Sequence, residues 1–136
     1  MQAVRLEIEG MAALLSRVVR DQGRDDEALV YSEIAEATAA DDDMESQALW
    51  RSIRAPIVAR AGNLSEAESL ARSAVELSGQ SDAPQMRADS LSELASVLRL
   101  AGRLDEARQT IDSAIAIYRA KGDIVSAARA SAWAEA

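Results

Sequence analysis

Apolar residues in the last third of the chain recur at the spacing of one helix face. The i, i+3, i+4, i+7 pattern typical of an amphipathic helix is formed by Leu91, Leu94, Ala95 and Leu98. A second stripe follows Gly102 and comprises Ala107, Ile111, Ala114, Ile115 and Tyr118. Because glycine tolerates the left-handed backbone at which many helices end, this segment is predicted to be a hairpin of two antiparallel helices.

The hairpin pattern occurs three times. Matching strings start at Gly23, Gly62 and Gly102, which are 39 and 40 residues apart, and they read GRDDEA, GNLSEA and GRLDEA. The small residues of the second stripe also repeat, as Ala67, Ala71 and Ala74 in the second copy and as Ala28, Ser32 and Ala35 in the first. Self-similarity at such a period indicates a solenoid built from one repeated helical unit.

Seven helices are predicted from the stripes, the glycines and the capping residues. They span about residues 3–21, 25–38, 45–60, 65–78, 85–100, 105–119 and 123–135. The first helix is predicted from a stripe of Val4, Ile8, Met11 and Leu15. Capping boxes are predicted from the spacing of Asp42 with Glu45 and of Ser65 with Glu68, and Asp123 is predicted to cap the last helix.

The predicted architecture is an all-α solenoid that forms a single domain over residues 1–136. Its three hairpins span about 3–38, 45–78 and 85–119. The remaining helix, at about 123–135, is expected to cover the open face of the third hairpin, with Trp133 as the large residue that closes it.

The composition excludes several kinds of catalytic and metal site. The 136 residues include no Cys, no His and no Phe, so thiolate nucleophiles, imidazole bases and the common zinc ligands are all missing. Phosphate-loop, dinucleotide-binding and zinc-protease motifs are also missing from the sequence. We therefore predict a non-enzymatic protein with no catalytic residues, no cofactor and no metal.

The charge balance and the apolar segments narrow the choice of partner. With 15 Lys+Arg against 23 Asp+Glu, the net charge is −8, which argues against binding a phosphate backbone. The apolar segments are far shorter than the ~20 residues that span a bilayer, and Arg5, Glu7 and Glu9 interrupt the N-terminal segment where a signal peptide would be apolar. We expect no nucleic acid partner, no membrane association and a cytoplasmic location.

The repeated unit resembles the tetratricopeptide repeat. Counted with Gly102 as the fifteenth position of that family, Ala95, Ala107 and Ala114 occupy the small eighth, twentieth and twenty-seventh positions. The period is longer than the ~34 residues usual in this family and falls in the range of HEAT repeats, so the period alone does not separate the two. The Gly–Ala–Ala spacing favours the tetratricopeptide repeat, and the resemblance covers about residues 8–119.

The resemblance also implies a binding surface. In this family the first helix of each hairpin lines the concave face, and residues at the second, fifth, ninth, twelfth and thirteenth positions point into it. In this chain the residues at those positions include Arg17, Arg20, Leu49, Ser52, Arg60, Asp89, Ser92, Ser96 and Arg99. This mixed lining, basic inside an acidic chain, implies a protein or peptide partner with acidic groups.

Arg51 and Arg54 depart from the family pattern, because they stand where the repeat normally packs apolar side chains. One interpretation is structural: the third helix is rotated so that Trp50, Ile53 and Ile57 form its packing face, and the two arginines bind nearby acids. The other is that both arginines present guanidinium groups to an acidic partner. Either interpretation is compatible with the sequence.

Three further residues have both a structural and a binding interpretation. Pro56 lies inside the predicted third helix, where it is expected to bend the helix and free the carbonyl of Ser52. Trp50 and Trp133 are the bulkiest side chains of an alanine-rich sequence. They are expected to fill the core, with a role as binding anchors as the alternative.

A second resemblance concerns the wider context of the chain. Residues 49–55, 67–75, 87–103 and 118–122 are similar to the C-terminal repeat region of large bacterial regulators. In those proteins a nucleotide cyclase or winged-helix domain and a signalling ATPase precede the repeats. The resemblance implies a scaffold or sensing segment that binds a protein on its concave face. The alternative is a module for self-association, for example as a homodimer, or for intrachain regulation.

Overall fold

The computed structural model describes the backbone of residues 2–136 and the side chains of residues 10–136. Residues 2–136 form seven α-helices and no strand, which confirms the all-α prediction. The helices are α1 (Gln2–Asp21), α2 (Asp25–Thr38), α3 (Met44–Arg60), α4 (Leu64–Ser78), α5 (Pro84–Leu100), α6 (Leu104–Ala120) and α7 (Ile124–Glu135). The side chains of Val4 and Ile8, on which part of the first stripe rests, lie outside the described residues.

The predicted glycine turn closes each hairpin. Gly102 has a φ of +79°, a value that costs a residue with a side chain about 1–2 kcal/mol. Arg103 N–H donates to the carbonyl of Leu98 at 2.9 Å, and Gly102 N–H donates to that of Arg99 at 3.0 Å. These two bonds satisfy carbonyls at the end of α5 that would otherwise have no partner. The same pair of bonds recurs after α1, α3 and α6, so the turn between α6 and α7 is a fourth copy of the motif.

The helix N-termini depart from the predicted caps in two places. Asp43, and not Asp42, caps α3, because its carboxylate accepts the N–H of Ser46 at 3.2 Å. α4 begins at Leu64, so Ser65 and Glu68 lie within the helix, and no side chain caps its N-terminus. The predicted cap at Asp123 is confirmed, since its carboxylate accepts the N–H of Ser126 at 3.0 Å.

Small residues are buried where the helices meet. The small side chains of the predicted repeat pattern are almost fully buried, and they are those of Ala28, Ser32, Ala35, Ala67, Ala71, Ala74, Ala95, Ala107 and Ala114. Each hairpin packs internally, and the first helices also pack side by side, α1 on α3 and α3 on α5. Between α1, α2 and α3 the core contains Trp50, which is 6% exposed, so the core interpretation of this residue is confirmed. The first helices therefore form a continuous layer.

The last helix extends this layer. α7 packs on α6, and its Trp133 contacts two core clusters, one between α3, α4, α5 and α6 and one between α5, α6 and α7. Within residues 2–136 no helix is long and apolar enough to cross a membrane.

Substituting Gly102 tests the turn. Gly102→Ala is expected to lower the free energy of unfolding by about 1 kcal/mol, because alanine at positive φ is strained and the site is otherwise open. Gly10→Ala is the matched control: Gly10 lies in an exposed part of α1 with open space around it, so alanine there should stabilise the helix by about 0.5–1 kcal/mol. Urea unfolding measures both, and equal effects would contradict the assigned turn.

Candidate binding cleft

One open cleft of about 770 Å³ is lined by α1, α3, α5 and α7, with Ile111 and Tyr118 of α6. It contains eight of the residues predicted for the concave face, namely Arg17, Arg20, Leu49, Ser52, Arg60, Asp89, Ser92 and Ser96. Three of the predicted residues, Arg51, Arg54 and Arg99, do not line it. The first helices thus bring most of the predicted set together.

A largely buried ion pair joins the first and third hairpins. Arg20 of α1 donates from Nη1 to the carboxylate of Glu93 in α5, 73 residues further along the chain. The same Nη1 lies 3.1 Å from the carbonyl oxygen of Ile53 in α3, and Asp21 accepts from Nε at 3.2 Å. The side chains of Arg20 and Glu93 are only 9% and 18% exposed. This single guanidinium therefore connects three helices.

Burial and the ion pair act in opposite directions on the pKa of each partner. Burial alone would lower the pKa of Arg20, but the carboxylates of Glu93 and Asp21 raise it above its usual value. Burial raises the pKa of Glu93, and Arg20 opposes that rise. Glu93 therefore depends on Arg20 to remain charged.

Pro56 lies in the floor of the cleft. α3 continues through Pro56 as one helix from Met44 to Arg60. Proline has no N–H, so it cannot donate to the carbonyl of Ser52 one turn earlier. The adjacent carbonyl, that of Ile53, is the one that Arg20 contacts.

A second polar group lies nearer α7. Tyr118 of α6 donates its hydroxyl hydrogen to Asp89 of α5, and the hydroxyl of Ser92 is 3.5 Å from that of Tyr118. Burial raises the pKa of Asp89, while the hydrogen bond from Tyr118 and the charges of Arg17 and Arg129 oppose the rise. Burial, followed by the bond to Asp89, raises the pKa of Tyr118 as well. Asp89 is thus a partly desolvated carboxyl group between two arginines.

The arginines of the cleft differ in how far they are neutralised. Arg60 binds both carboxylate oxygens of Asp25, at 2.7 and 2.9 Å, and Arg20 is paired with Glu93. Arg17 and Arg129 line the cleft from α1 and α7 without a hydrogen bond or an ion pair to any residue in the range 10–136. The cations available to a ligand are therefore these two.

Arg51 and Arg54 lie against Trp50, outside the cleft. Their guanidinium carbons are 4.4 and 4.5 Å from the centroid of the Trp50 ring. Arg54 is 13% exposed; its Nη1 is 2.8 Å from Glu36, and its Nε donates to the hydroxyl of Ser32 at 3.0 Å. Arg51 donates to the carbonyl and side-chain oxygens of Gln47. Arg54 thus binds a nearby acid, as the structural interpretation expected, whereas the hydrogen-bond partner of Arg51 is Gln47 and not an acid. The stems and heads of both arginines cover the indole surface of Trp50.

Arg99 also has an internal partner. Its guanidinium carbon is 3.4 Å from the centroid of the Trp133 ring, and its Nη2 donates to the Trp133 carbonyl at 2.7 Å. Arg99 therefore connects α5 with α7.

Seven polar or aromatic side chains that line the cleft were not among the predicted concave-face residues: Asp21, Gln85, Glu93, Tyr118, Ser126, Arg129 and Trp133. Glu93 is four residues after Asp89, so it shares a helix face with a predicted residue. This spacing could have identified Glu93 as a cleft residue. Arg129 could have been found from the Gly122 turn, which places α7 in register with the earlier helices. The pairing of Arg20 with Glu93 has no local sequence signal.

A known family model matches the part of the chain that contains α5 and α6. Residues 87–121 match the family model of the tetratricopeptide repeat. No curated protein and no solved structure matches the chain. The match, together with the seven-helix architecture, supports a protein of the tetratricopeptide-repeat type. Such repeats are non-catalytic modules that generally mediate protein–protein interactions.

Removing Arg20 tests the ion pair. Arg20→Met should lower the free energy of unfolding by about 3 kcal/mol at neutral pH, because it leaves the Glu93 carboxylate buried and unpaired. A carboxyl group whose folded-state pKa is raised stabilises the fold below its unfolded-state pKa and loses that contribution as pH rises. The penalty of Arg20→Met is therefore largest at neutral pH and should shrink as the pH falls toward about 4.

Urea unfolding at both pH values measures this difference from wild type. Arg24→Met is the matched control, because its ion pair with Glu27 is about half exposed on both sides and should contribute at most about 0.5 kcal/mol. Arg20→Met combined with Glu93→Leu should recover most of the loss. A penalty that does not change with pH would contradict the assigned pair.

Removing Arg54 tests its structural role. Arg54→Ala should cost about 2 kcal/mol of unfolding free energy, since it uncovers Trp50 and removes a hydrogen bond to Ser32 and an ion pair with Glu36. Arg108→Ala, in a pair with both side chains more than half exposed, should change stability by less than about 0.5 kcal/mol. A loss of partner binding at unchanged stability would instead support the binding interpretation.

Proposed function

We propose that this chain is a non-enzymatic interaction module that binds an acidic segment of a protein partner in the cleft. The observation that carries the proposal is the unpaired state of Arg17 and Arg129. A guanidinium group binds a carboxylate through charge-assisted, often bidentate hydrogen bonds. Among the cleft arginines, these two form no hydrogen bond or ion pair with an acid within residues 10–136, so their N–H groups can bind a ligand.

The charge distribution supports an acidic ligand in this cleft. The chain has a net charge of −8, so most of its surface repels an acidic segment. In the cleft, Arg17 and Arg129 both attract the partly buried Asp89, whose pKa is raised by burial. Arg17 also attracts Glu93, and Arg129 also attracts Asp123. None of these acids forms a hydrogen bond with either arginine. An acidic ligand is therefore directed to the cleft, where attraction is strongest.

The cleft lining also includes apolar side chains that can contact the apolar part of a peptide. Leu49, Ile53, Pro56 and Trp133 line the cleft between the polar groups. The pair between Arg20 and Glu93 holds α1 against α5 before a ligand arrives. A preformed cleft loses little conformational entropy on binding, which favours affinity.

The proposal includes a biological setting. The similarity of several strings to the repeat regions of bacterial regulators favours a regulatory or signalling protein in the bacterial cytoplasm. In such a protein the acidic segment belongs either to a separate partner or to another domain of the same chain.

Selection from a library of displayed peptides, with the purified protein as the target, tests the proposed ligand. Random peptides selected by the wild-type chain should be enriched in Asp and Glu. Arg17→Ser combined with Arg129→Ser should weaken the binding of a selected peptide at least about tenfold, since each lost charge-assisted bond contributes ~1.5–3 kcal/mol. Fluorescence anisotropy of the labelled peptide measures the change, and added salt should weaken wild-type binding as well.

Arg87→Ser combined with Arg119→Ser is the matched control. Both residues are exposed, and neither lines the cleft, so this variant has the same net charge as the test variant and should bind like wild type. Selection of neutral or basic peptides, or equal losses in the two variants, would overturn the proposal.

A further inference from the structure

The proline in the middle of α3 leaves one backbone acceptor without its helical donor. Arg17, Pro56 and Ser96 each lie six residues before the turn glycine of their own hairpin, so they occupy the same position in the first helices of the three hairpins. All three residues line the cleft. Arg17 and Ser96 have a backbone N–H that can donate to the carbonyl four residues earlier, whereas Pro56 has none. The carbonyl of Ser52 therefore lacks the helical hydrogen bond that α1 and α5 can form at this position.

No neighbouring side chain replaces that donor. The hydroxyl of Ser52 donates to the carbonyl of Leu49 at 2.9 Å, and Nη1 of Arg20 lies 3.1 Å from the carbonyl oxygen of Ile53. Among residues 10–136 no side chain donates to the Ser52 carbonyl. Ser52 is only 4% exposed, and an acceptor that is largely removed from water without a donor costs free energy. A ligand that brings a donor to this carbonyl recovers that cost.

The Ser52 carbonyl lies on the side of α3 that faces the cleft. A helix carbonyl points along the axis toward the residue four positions later, and that residue, Pro56, lines the cleft together with Ser52. Arg20 also lines the cleft, and its guanidinium group reaches the next carbonyl of the same turn, that of Ile53. A donor that enters the cleft therefore has access to the carbonyls of this turn.

The chemistry of an acidic segment determines which of its groups can bind there. Ionised Asp and Glu side chains only accept hydrogen bonds, so they can bind Arg17 and Arg129 but not a carbonyl. The peptide backbone supplies an N–H at every residue except proline, and this N–H is available wherever the segment is not helical. The acidic residues of such a segment thus have a donor for the Ser52 carbonyl only in their main chain.

We propose that Pro56 is a positioning residue of the cleft: it keeps the Ser52 carbonyl free, and a backbone N–H of the bound segment donates to that carbonyl. The ligand is the acidic segment of the proposed function, on which this inference rests. The hydrogen bond adds a main-chain contact on α3 to the side-chain contacts of Arg17 on α1 and Arg129 on α7. It thereby fixes which residue of the segment lies over α3.

Replacing Pro56 tests this role. Alanine has the missing N–H, so Pro56→Ala should occupy the Ser52 carbonyl and weaken the binding of a peptide selected by the wild-type chain about fivefold, the effect of one neutral hydrogen bond. Fluorescence anisotropy measures the affinity, and circular dichroism checks that the variant is folded. Pro84→Ala is the matched control. Pro84 begins α5, where a helix needs no N–H, and it is exposed and does not line the cleft, so this variant should bind like wild type.

An ester scan of the same peptide separates the hydrogen bond from simple contact with the proline ring. Replacing one backbone amide of the peptide at a time by an ester removes one N–H. At one position the ester should weaken binding to wild type about fivefold and should weaken binding to Pro56→Ala much less, because the Ser52 carbonyl is already occupied in that variant. A proline that acts only by packing would give equal ester effects in the two proteins.

Nuclear magnetic resonance on the wild-type protein covers the case in which Pro56→Ala fails to fold. The resonance of the Ser52 carbonyl carbon should move downfield when the amide peptide binds, and should not move when the peptide with the critical ester binds. Equal affinity of Pro56→Ala and wild type, equal ester effects in the two proteins, or an unmoved Ser52 resonance would each overturn the inference. These results leave the proposed function intact. That function is overturned instead by equal losses in the variant with Arg17→Ser and Arg129→Ser and in its matched control.

Discussion

The buried ion pair between Arg20 and Glu93 sets how the first hairpin lies relative to the third, and the cleft depends on that position. The two residues are 73 positions apart, and Arg20 also contacts the backbone of α3 between them. Because a buried carboxylate without a partner is costly, the pair resists any change in curvature that would separate α1 from α5. The solenoid therefore presents one defined cleft.

The other arginines that line the cleft or were predicted to line it are paired with acids or lie against tryptophan rings, and this gives the cleft its selectivity. On the outer surface, Arg72 and Arg103 bridge Glu68 of α4 and Glu106 of α6, and within the cleft Arg20 and Arg60 have acidic partners. Arg51, Arg54 and Arg99 lie against the two tryptophan rings. The sequence supplies many arginines, but among the described residues of the cleft only Arg17 and Arg129 remain available to a ligand. This restricts where a carboxylate can bind.

The helices could be predicted far better than the site. All predicted helix ends lie within one residue of those observed, because apolar stripes and glycine turns act over a few residues. The cap of α3 was predicted one residue too early: Asp41, Asp42 and Asp43 are chemically equivalent, and Asp43 is the cap because α3 begins at Met44. Eight cleft residues followed from the register of the repeat, whereas Tyr118 and Arg129 come from helices that the register did not assign to the cleft.

The sequence by itself determined the repeated hairpins, their turns and the small residues at helix contacts, since each depends on local backbone geometry or on the spacing along one helix. Tertiary structure alone decided which arginines remain free. Arg17 and Arg20 are one turn apart on the same helix and are chemically identical, yet only Arg20 reaches an acid. The difference arises because that acid lies on a helix two hairpins away, and only the curvature of the solenoid brings it within hydrogen-bonding distance.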